Sequence, residues 1–272
     1  MAKGLVVKDF LGMDIMELVA QVKRAQDKRK PRLRRTRTPR RFRRSTTSIS
    51  VIIPAHNEEA YLRATLNALR KQHYSNCEVI VVANGCTDRT EDVAREHCDR
   101  LVVLSQKSLG VARNLGARMA KGELLIFLDA DTLLERNALR TIASQFTRRY
   151  AAGTVKGKPD SKRFAYRMIY GLKNFVHFSS IHQGSSGVIL CWKDQFIRLG
   201  GFKEQMEVRE NSDLIKRLKR FGRYNYIRQA SAITSMRRYD RRGVWRMVWL
   251  WIKLWFESLF KDLQNRKYET IR

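Results

Sequence analysis

Ile49-Ser50-Val51-Ile52-Ile53-Pro54, followed at once by Ala55-His56-Asn57-Glu58-Glu59, is the stretch on which the fold turns. The β-branched run Ile49–Pro54 predicts a short strand. Glu58–Lys71 predicts a helix, with two acids in its first turn to match the positive end of the helix dipole. Working outward, Glu78–Val82 gives a second strand, and Thr87 or Asp88 can cap a helix carrying Val93 and Ala94. Leu101–Leu104 is a third strand, Ser108–Lys121 a helix and Leu124–Leu128 a fourth strand, with a further helix near Glu135–Thr147. Strands and helices that alternate at this spacing imply an α/β chain with a mostly parallel, doubly wound sheet covered on both faces. Such sheets bind ligands beyond the C-terminal strand ends, so the loops at 54–58, 83–88 and 129–132 are expected to share one site.

Beyond residue 150 the pattern is less regular. It predicts a helix through Phe164–His177, a strand at Val188–Trp192, helices near Lys193–Leu199 and Ser212–Phe221, and a short strand near Tyr224–Ile227.

Charge divides the chain into a basic arm (1–48), the α/β domain (49–235) and a basic, Trp-rich C-terminal segment (236–272). Across 272 residues, 55 Lys and Arg face 26 Asp and Glu, a formal net charge of +29, which calls for a polyanionic partner: nucleic acid, an anionic lipid surface or a phosphorylated substrate. With 43% apolar and 10% aromatic residues the chain is not compositionally disordered. In the arm, Phe10–Ala25 has near-helical apolar spacing, and Lys28–Arg44 is Arg-rich, free of acid and broken by Pro31 and Pro39. On a helix over Val244–Phe260, Trp245, Val248, Trp249, Ile252, Trp255, Phe256 and Leu259 share one face and Arg246, Lys253 and Glu257 the other. Trp-rich faces opposite basic residues suit the membrane interface, although the same helix could pack on the core. Cys77, Cys86, Cys98 and Cys191 form no CxxC pair and read as reduced thiols. With no signal peptide and no uncharged run of spanning length, the protein is expected on the cytoplasmic side, peripheral on the inner face of the membrane.

The three strand-end loops carry the polar groups. They read Pro54-Ala55-His56-Asn57-Glu58-Glu59, Asn84-Gly85-Cys86-Thr87-Asp88 and Asp129-Ala130-Asp131. Two carboxylates one residue apart at the end of a buried strand repel each other unless a cation lies between them. Hard oxygen ligands suit Mg²⁺ or Mn²⁺, which keep open positions for substrate phosphates.

These motifs, with Gly110-Val111-Ala112-Arg113-Asn114-Leu115-Gly116 and Phe127-Leu128-Asp129-Ala130-Asp131-Thr132, resemble in order and spacing the family-two inverting glycosyltransferases of GT-A fold. Gly200-Gly201-Phe202 and Glu210-Asn211-Ser212-Asp213-Leu214 look like that family's acceptor-side motifs, so the resemblance runs from about Ser48 to Thr234. It implies a nucleotide-sugar donor whose base and ribose are held by Pro54, Ala55, His56, Asn57, Glu58 and Asn84. Asp88 would fix the second loop, Arg113 would lie near the donor, Asp129 would lean on the ribose, and Ala130 would line the nucleotide-sugar site. Asp131 would bind the metal, Mn²⁺ or Mg²⁺, that bridges the diphosphate. Arg237 and Arg238 would lie near that diphosphate, where guanidinium groups suit bidentate phosphate contact.

Two departures matter. Paired acids are common in the family where this chain has Ala83-Asn84, and the family's Glu-Asp pair near the acceptor reads Glu210-Asn211. Either Glu210 is the general base, or the acceptor is already ionised, as a polyprenyl-phosphate would be. The implied acceptor is a polyprenyl-phosphate or lipid-linked glycan on an anionic membrane surface. RNA is the alternative that the basic arm would suit, and a non-catalytic binding protein on the same scaffold is a third reading.

Overall fold

The computed structural model describes residues 5–7, 20, 47–179, 184–185, 187–206, 208–247 and 249. Within them the strands are β1 (Leu5–Val7), β2 (Ile49–Ala55), β3 (Cys77–Asn84), β4 (Arg100–Leu104), β5 (Leu124–Leu128), β6 (Thr132–Leu134), β7 (Tyr150–Pro159), β8 (Val188–Trp192) and β9 (Arg223–Thr234). The helices are α1 (Glu59–Arg70), α2 (Thr90–His97), α3 (Leu109–Met119), α4 (Ala138–Gln145), α5 (Phe164–Phe178), α6 (Lys193–Arg198), α7 (Glu210–Leu218) and α8 (Arg237–Arg242). The expected helix over Phe10–Ala25 and most of that over Val244–Phe260 lie outside the described residues.

The strands join in one mixed, mostly parallel sheet in the order β1-β4-β3-β2-β5-β8-β7-β9-β6. β2, β3, β4 and β5 run parallel, and β8 is antiparallel to both β5 and β7. Side chains alternate across the sheet with period two. Val51, Ile53, Val81, Leu124 and Ile126 enter one buried layer with Leu62, Leu66 and Val93 of α1 and α2. Ile52, Ile80, Val82, Leu125 and Phe127 enter the other with Leu115, Phe196, Leu214 and Leu218 of α3, α6 and α7. With both faces covered, the central strands read as unbroken apolar runs, and each Val, Leu or Ile so buried contributes about 1.5–3 kcal/mol.

Several boundaries differ from expectation. β7 fills a stretch read as irregular, and β9 runs on to Thr234 rather than stopping at Ile227. Leu5–Val7, in the basic arm, adds an edge strand parallel to β4. Arg89 takes the N-cap position of α2 without a side-chain cap bond, and the Asp88 carboxylate, as expected, caps the helix by accepting from Thr90 N–H (3.0 Å).

This topology places the site. Parallel β2, β3, β4 and β5 all end on one edge. Leu128 pairs with Val188, so the turn entering antiparallel β8 opens on the same edge. β9 reaches that edge with Thr234 opposite Thr132, and α8 starts three residues later.

Candidate active site

Asp129 and Asp131 leave β5 in a tight turn held from several sides. Thr132 N–H donates to the Asp129 carbonyl (3.1 Å), Asp129 N–H to the Gly187 carbonyl (3.0 Å) and Ser235 N–H to the Asp131 carbonyl (3.2 Å). The buried Thr65 hydroxyl of α1 donates to the Ala130 carbonyl (2.7 Å). Gly187 has φ +79°, and a Cβ there would lie 2.6 Å from Thr132 Oγ1, so the β8 entry turn needs glycine.

Arg113 of α3 is almost fully buried and acts as a hub. Its Nη1 donates to Glu210 Oε1 and to Asn211 Oδ1, each at 3.0 Å, and its Nη2 reaches Asp129 Oδ1 at 3.4 Å. Its guanidinium stacks on the Phe202 ring, 4.9 Å from the centroid. The neighbouring Asn114 fixes that ring: its amide donates to the Phe202 carbonyl (2.9 Å) and its oxygen accepts from Phe202 N–H (2.8 Å). Asn211 also donates to Ser185 Oγ (3.2 Å), which draws in the glycine-rich turn before β8.

Arg237, the first residue of α8, is a second hub. Its Nη2 bridges Glu58 Oε1 and Asp131 Oδ2, the latter at 3.0 Å, and its guanidinium lies 4.4 Å over the Tyr61 ring. Its Nε and Glu58 Oε2 are buried with no hydrogen-bond partner among the described residues. Burial raises the Glu58 pKa, against the opposing pull of Arg237. Burial likewise raises Asp131, and the charge of Asp129 raises it further. Asp129 is also raised by burial, against the opposing charge of Arg113. Its side chain stays 43% exposed against 10% for Asp131, so solvent still reaches it.

The first two loops are stitched together. Asn57, at φ 52°, donates through its amide to Thr87 Oγ1 (2.8 Å) and accepts from Thr87 N–H (2.8 Å). Glu58 N–H donates to Thr90 Oγ1 (2.7 Å) and Glu59 N–H to Asp88 Oδ2 (3.2 Å), while Arg89 N–H donates to Glu59 Oε2 (2.9 Å). Helices α1 and α2 therefore exchange their N-terminal caps. Burial pushes the Asp88 carboxyl up, but the Thr90 hydroxyl and the N–H groups of Thr90 and Glu59 outweigh it and lower its pKa. The Cys86 thiol donates to the Ala55 carbonyl (3.3 Å).

Thus the three expected loops meet, joined by Asn57–Thr87 and by Glu58–Arg237–Asp131. Arg113 and Glu210 arrive from α3 and α7. Pro54 and Ala55 form the end of β2, and His56 follows in the loop. Asn84 is buried, with its side-chain oxygen accepting from Ser108 N–H (2.7 Å) at the cap of α3. Arg238 follows Arg237, and its charge opposes the rise at both Asp129 and Asp131. Asp213 lies aside, bound to Arg217 (2.8 Å) and Lys203 (3.3 Å). Sequence reading missed Thr65, Tyr61, Thr90, Asn114 and Ser185. Asn114 lies in the Gly110–Gly116 motif, Thr90 ends the motif that begins at Val81, and Ser185 belongs to the Gly184–Gly187 run, whose backbone could meet an anion; Thr65 and Tyr61 carried no signal.

Among the described residues no three His, Cys, Asp or Glu side chains gather as a metal cage. A divalent ion of the Mg²⁺ type needs only one or two carboxylates when substrate phosphates and water complete its shell. The Asp129–Asp131 pair fits that requirement, since both carboxyls are raised by burial and Asp131 further by the charge of Asp129, which a cation would relieve.

A doubly wound sheet whose C-terminal edge gathers paired aspartates and arginines is the GT-A architecture. The glycosyl transferase family 2 model matches residues 50–199, more than half of the chain, and the chain belongs to that family. The mannosyltransferase PcManGT from Pyrobaculum calidifontis, solved with GDP-Man and Mn²⁺, has a similar fold: TM-score 0.65 at 18% identity, over 91% of this chain and 72% of that one. S. aureus TarS 1-349, solved with UDP-GlcNAc, gives a TM-score of 0.54 at 20% identity, over 69% of this chain and 58% of that one. The 4,4'-diaponeurosporenoate glycosyltransferase of Staphylococcus haemolyticus is 33% identical over 145 residues, half of this chain and 36% of the relative. The chain spans about a third or less of the length of the first curated relatives it matches.

Proposed function

We propose that this chain is an inverting glycosyltransferase that takes a sugar from a nucleotide-sugar, with Mn²⁺ or Mg²⁺. The acceptor is held at the cytoplasmic face of a membrane, as a polyprenyl-phosphate or lipid-linked glycan. The observation that carries this reading is Asp131 at the end of β5, ion-paired to Arg237 and one residue from Asp129, which Arg113 holds.

Pro54, Ala55, His56, Asn57, Glu58, Asn84 and Asp88 form the rim that receives the nucleoside, and Asp129 approaches the ribose. Asp131, with Asp129, would hold the metal, which when bound neutralises charge developing on the nucleoside diphosphate. Arg237 and Arg238 stand beside it to take the diphosphate oxygens. Glu210, held by Arg113, faces the acceptor side and takes the proton of a glycan hydroxyl, whereas a polyprenyl-phosphate is already ionised and attacks without a base; in either case one in-line displacement expels the nucleoside diphosphate and inverts the anomeric carbon.

The deciding experiment is nucleoside diphosphate release from a panel of nucleotide-sugars, with Mn²⁺, Mg²⁺ or EDTA. Vesicles bearing polyprenyl-phosphate and, separately, bulk RNA serve as acceptors. Metal-dependent release stimulated by the lipid supports the reading. Stimulation by RNA alone would replace the acceptor, and no release with any donor would sink the enzyme reading.

A further inference from the structure

Helix α5 has two apolar sides. Tyr166, Tyr170 and His177 are buried against the domain, and Tyr166 and Tyr170 pack with Met236 and Tyr239 at α8. On the opposite side Phe164, Met168, Leu172, Phe175 and Phe178 recur at helical spacing and are between 58% and 76% exposed. An ordinary surface helix carries its charge on that side. α5 carries no acidic residue, and Lys162, Arg163 and Arg167 flank its first half in solvent. Beyond α8, Trp245 and Trp249 are also exposed, at 84% and 69%.

A groove of about 580 Å³ opens beside this face, lined by Phe175, Phe178, Asn174 and Tyr226 together with Lys156 and Arg228. The Arg228 guanidinium lies 4.9 Å over the Phe178 ring. Aromatic walls with two cations at the rim suit the junction between acyl chains and phosphate headgroups. The acids nearby are engaged: Asp240 binds Arg163 (2.8 Å) and Tyr166 (2.6 Å), and Asp160 accepts from Met236 N–H (3.0 Å).

We infer that the exposed face of α5, with the Lys156–Arg228 groove, is a docking surface for an anionic phospholipid bilayer. Charge complementarity selects the occupant, because a second copy of so basic a face would be repelled whereas anionic headgroups are attracted. Among the described residues no helix is long and apolar enough to cross a membrane, so α5 would lie in the interface. Its placement also orients the site. Pro159, at the end of β7, pairs with Thr234 on the active edge, and α5 begins five residues later. Through α8, which α5 packs on and which supplies Arg237, the docked face would hold the catalytic edge against the bilayer. This last consequence rests on the membrane-acceptor reading above, whereas docking itself does not.

The test uses the full chain and acceptor-free vesicles of phosphatidylcholine or of phosphatidylglycerol, in a flotation assay. The wild type is expected to float with the anionic vesicles. Leu172→Glu combined with Phe175→Glu should weaken that binding about tenfold or more, and Lys156→Glu with Arg228→Glu should weaken it only for anionic lipid. Slow donor hydrolysis to water, measured in parallel, should stay unchanged in both variants, so loss of docking is read separately from loss of chemistry. A Leu172→Cys chain labelled with a polarity-sensitive dye covers the case in which the charged variants misfold. Its emission should shift to the blue only when vesicles are added. Failure of the wild type to float, or undiminished flotation of the Leu172/Phe175 variant, overturns the inference. So does a variant that loses only self-association, or a dye already in apolar surroundings without lipid.

Discussion

Arg113 Nη1 lies 3.0 Å from Glu210 Oε1, joining residues 97 positions apart, both largely buried. The same guanidinium also serves Asn211 and Asp129, so one cation ties helix α7 to the end of β5. The remaining Nε is buried without a hydrogen-bond partner among the described residues, which leaves the hub dependent on its stacking over Phe202. Arg113→Ala would strand the Glu210 carboxylate and the Asn211 amide oxygen in low dielectric, while Asp129 stays partly in solvent. Breaking a buried pair on one side costs about 3–5 kcal/mol. Urea unfolding should show a loss of that order, and Arg113→Lys a smaller one, because an ammonium cannot span all three partners.

Asp131 should behave in the opposite way. It is raised by burial and by the charge of Asp129, so its ionised form is held at a cost to the fold. Asp131→Asn removes that repulsion, and the melting temperature should stay within a few degrees of wild type or rise. Metal-dependent nucleoside diphosphate release should fall roughly a hundredfold or more, since a lost metal contact costs several kcal/mol at the transition state. A large drop in stability without loss of release would contradict the assignment.

How far the sequence reveals this arrangement depends on the range of the interaction. β2 to β5 are legible because each is a buried apolar run, and the shared loops follow from parallel strands ending together. β7 is not: Tyr150-Ala-Ala-Gly-Thr-Val-Lys-Gly-Lys-Pro159 contains two glycines and a proline, poor strand formers. It is a strand because tertiary packing demands one, with β9 paired along its length and the Phe146 ring and Asn225 carbonyl against Gly153, where no Cβ fits. The motifs identified Asp129, Asp131, Arg113 and Glu210 as candidates. That Arg113 would hold Glu210, or that Arg237, 179 positions from Glu58, would bridge it to Asp131, has no local signature.

The exchanged helix caps predict a pH dependence. The folded pKa of Asp88 is lowered, so its contribution is present above the unfolded value near 3.9 and is lost as pH falls through the lower folded value. Asp88→Asn keeps the capping geometry and removes the charge. At pH 7 it should cost about 1 kcal/mol, the margin of a charge-assisted over a neutral hydrogen bond. At strongly acidic pH, below the lowered folded value, the two proteins should converge as the wild-type carboxyl protonates. Denaturant unfolding at both pH values checks this, and a constant gap would mean that Asp88 acts by shape alone.

Gly201 tests the wall of the hub. Its φ is +77°, and an added Cβ would collide with Asn114 Oδ1, the atom that accepts from Phe202 N–H. Gly201→Ala should therefore cost about 2–3 kcal/mol from backbone strain and the displaced hydrogen bonds. By shifting Phe202 from beneath Arg113 it should also lower turnover beyond what the stability loss explains. Activity measured well below the melting temperature separates the two effects.

Arg237 gives the clearest split between binding and chemistry. It neutralises Glu58 and Asp131 together, stacks on Tyr61, and carries a buried Nε with no hydrogen-bond partner among the described residues. A planar guanidinium can bridge two carboxylates and still present an edge to a diphosphate, whereas a lysine offers one point of charge. Arg237→Lys should keep the fold, with a stability loss below the ~3–5 kcal/mol expected of Arg237→Ala. It should raise the donor KM about tenfold, the loss of one charge-assisted contact, while the Mn²⁺ concentration giving half-maximal rate changes less. If Arg237 serves only to neutralise Glu58 and Asp131, Lys will restore the donor KM in full. A raised KM in a folded Lys variant therefore places the guanidinium on the donor.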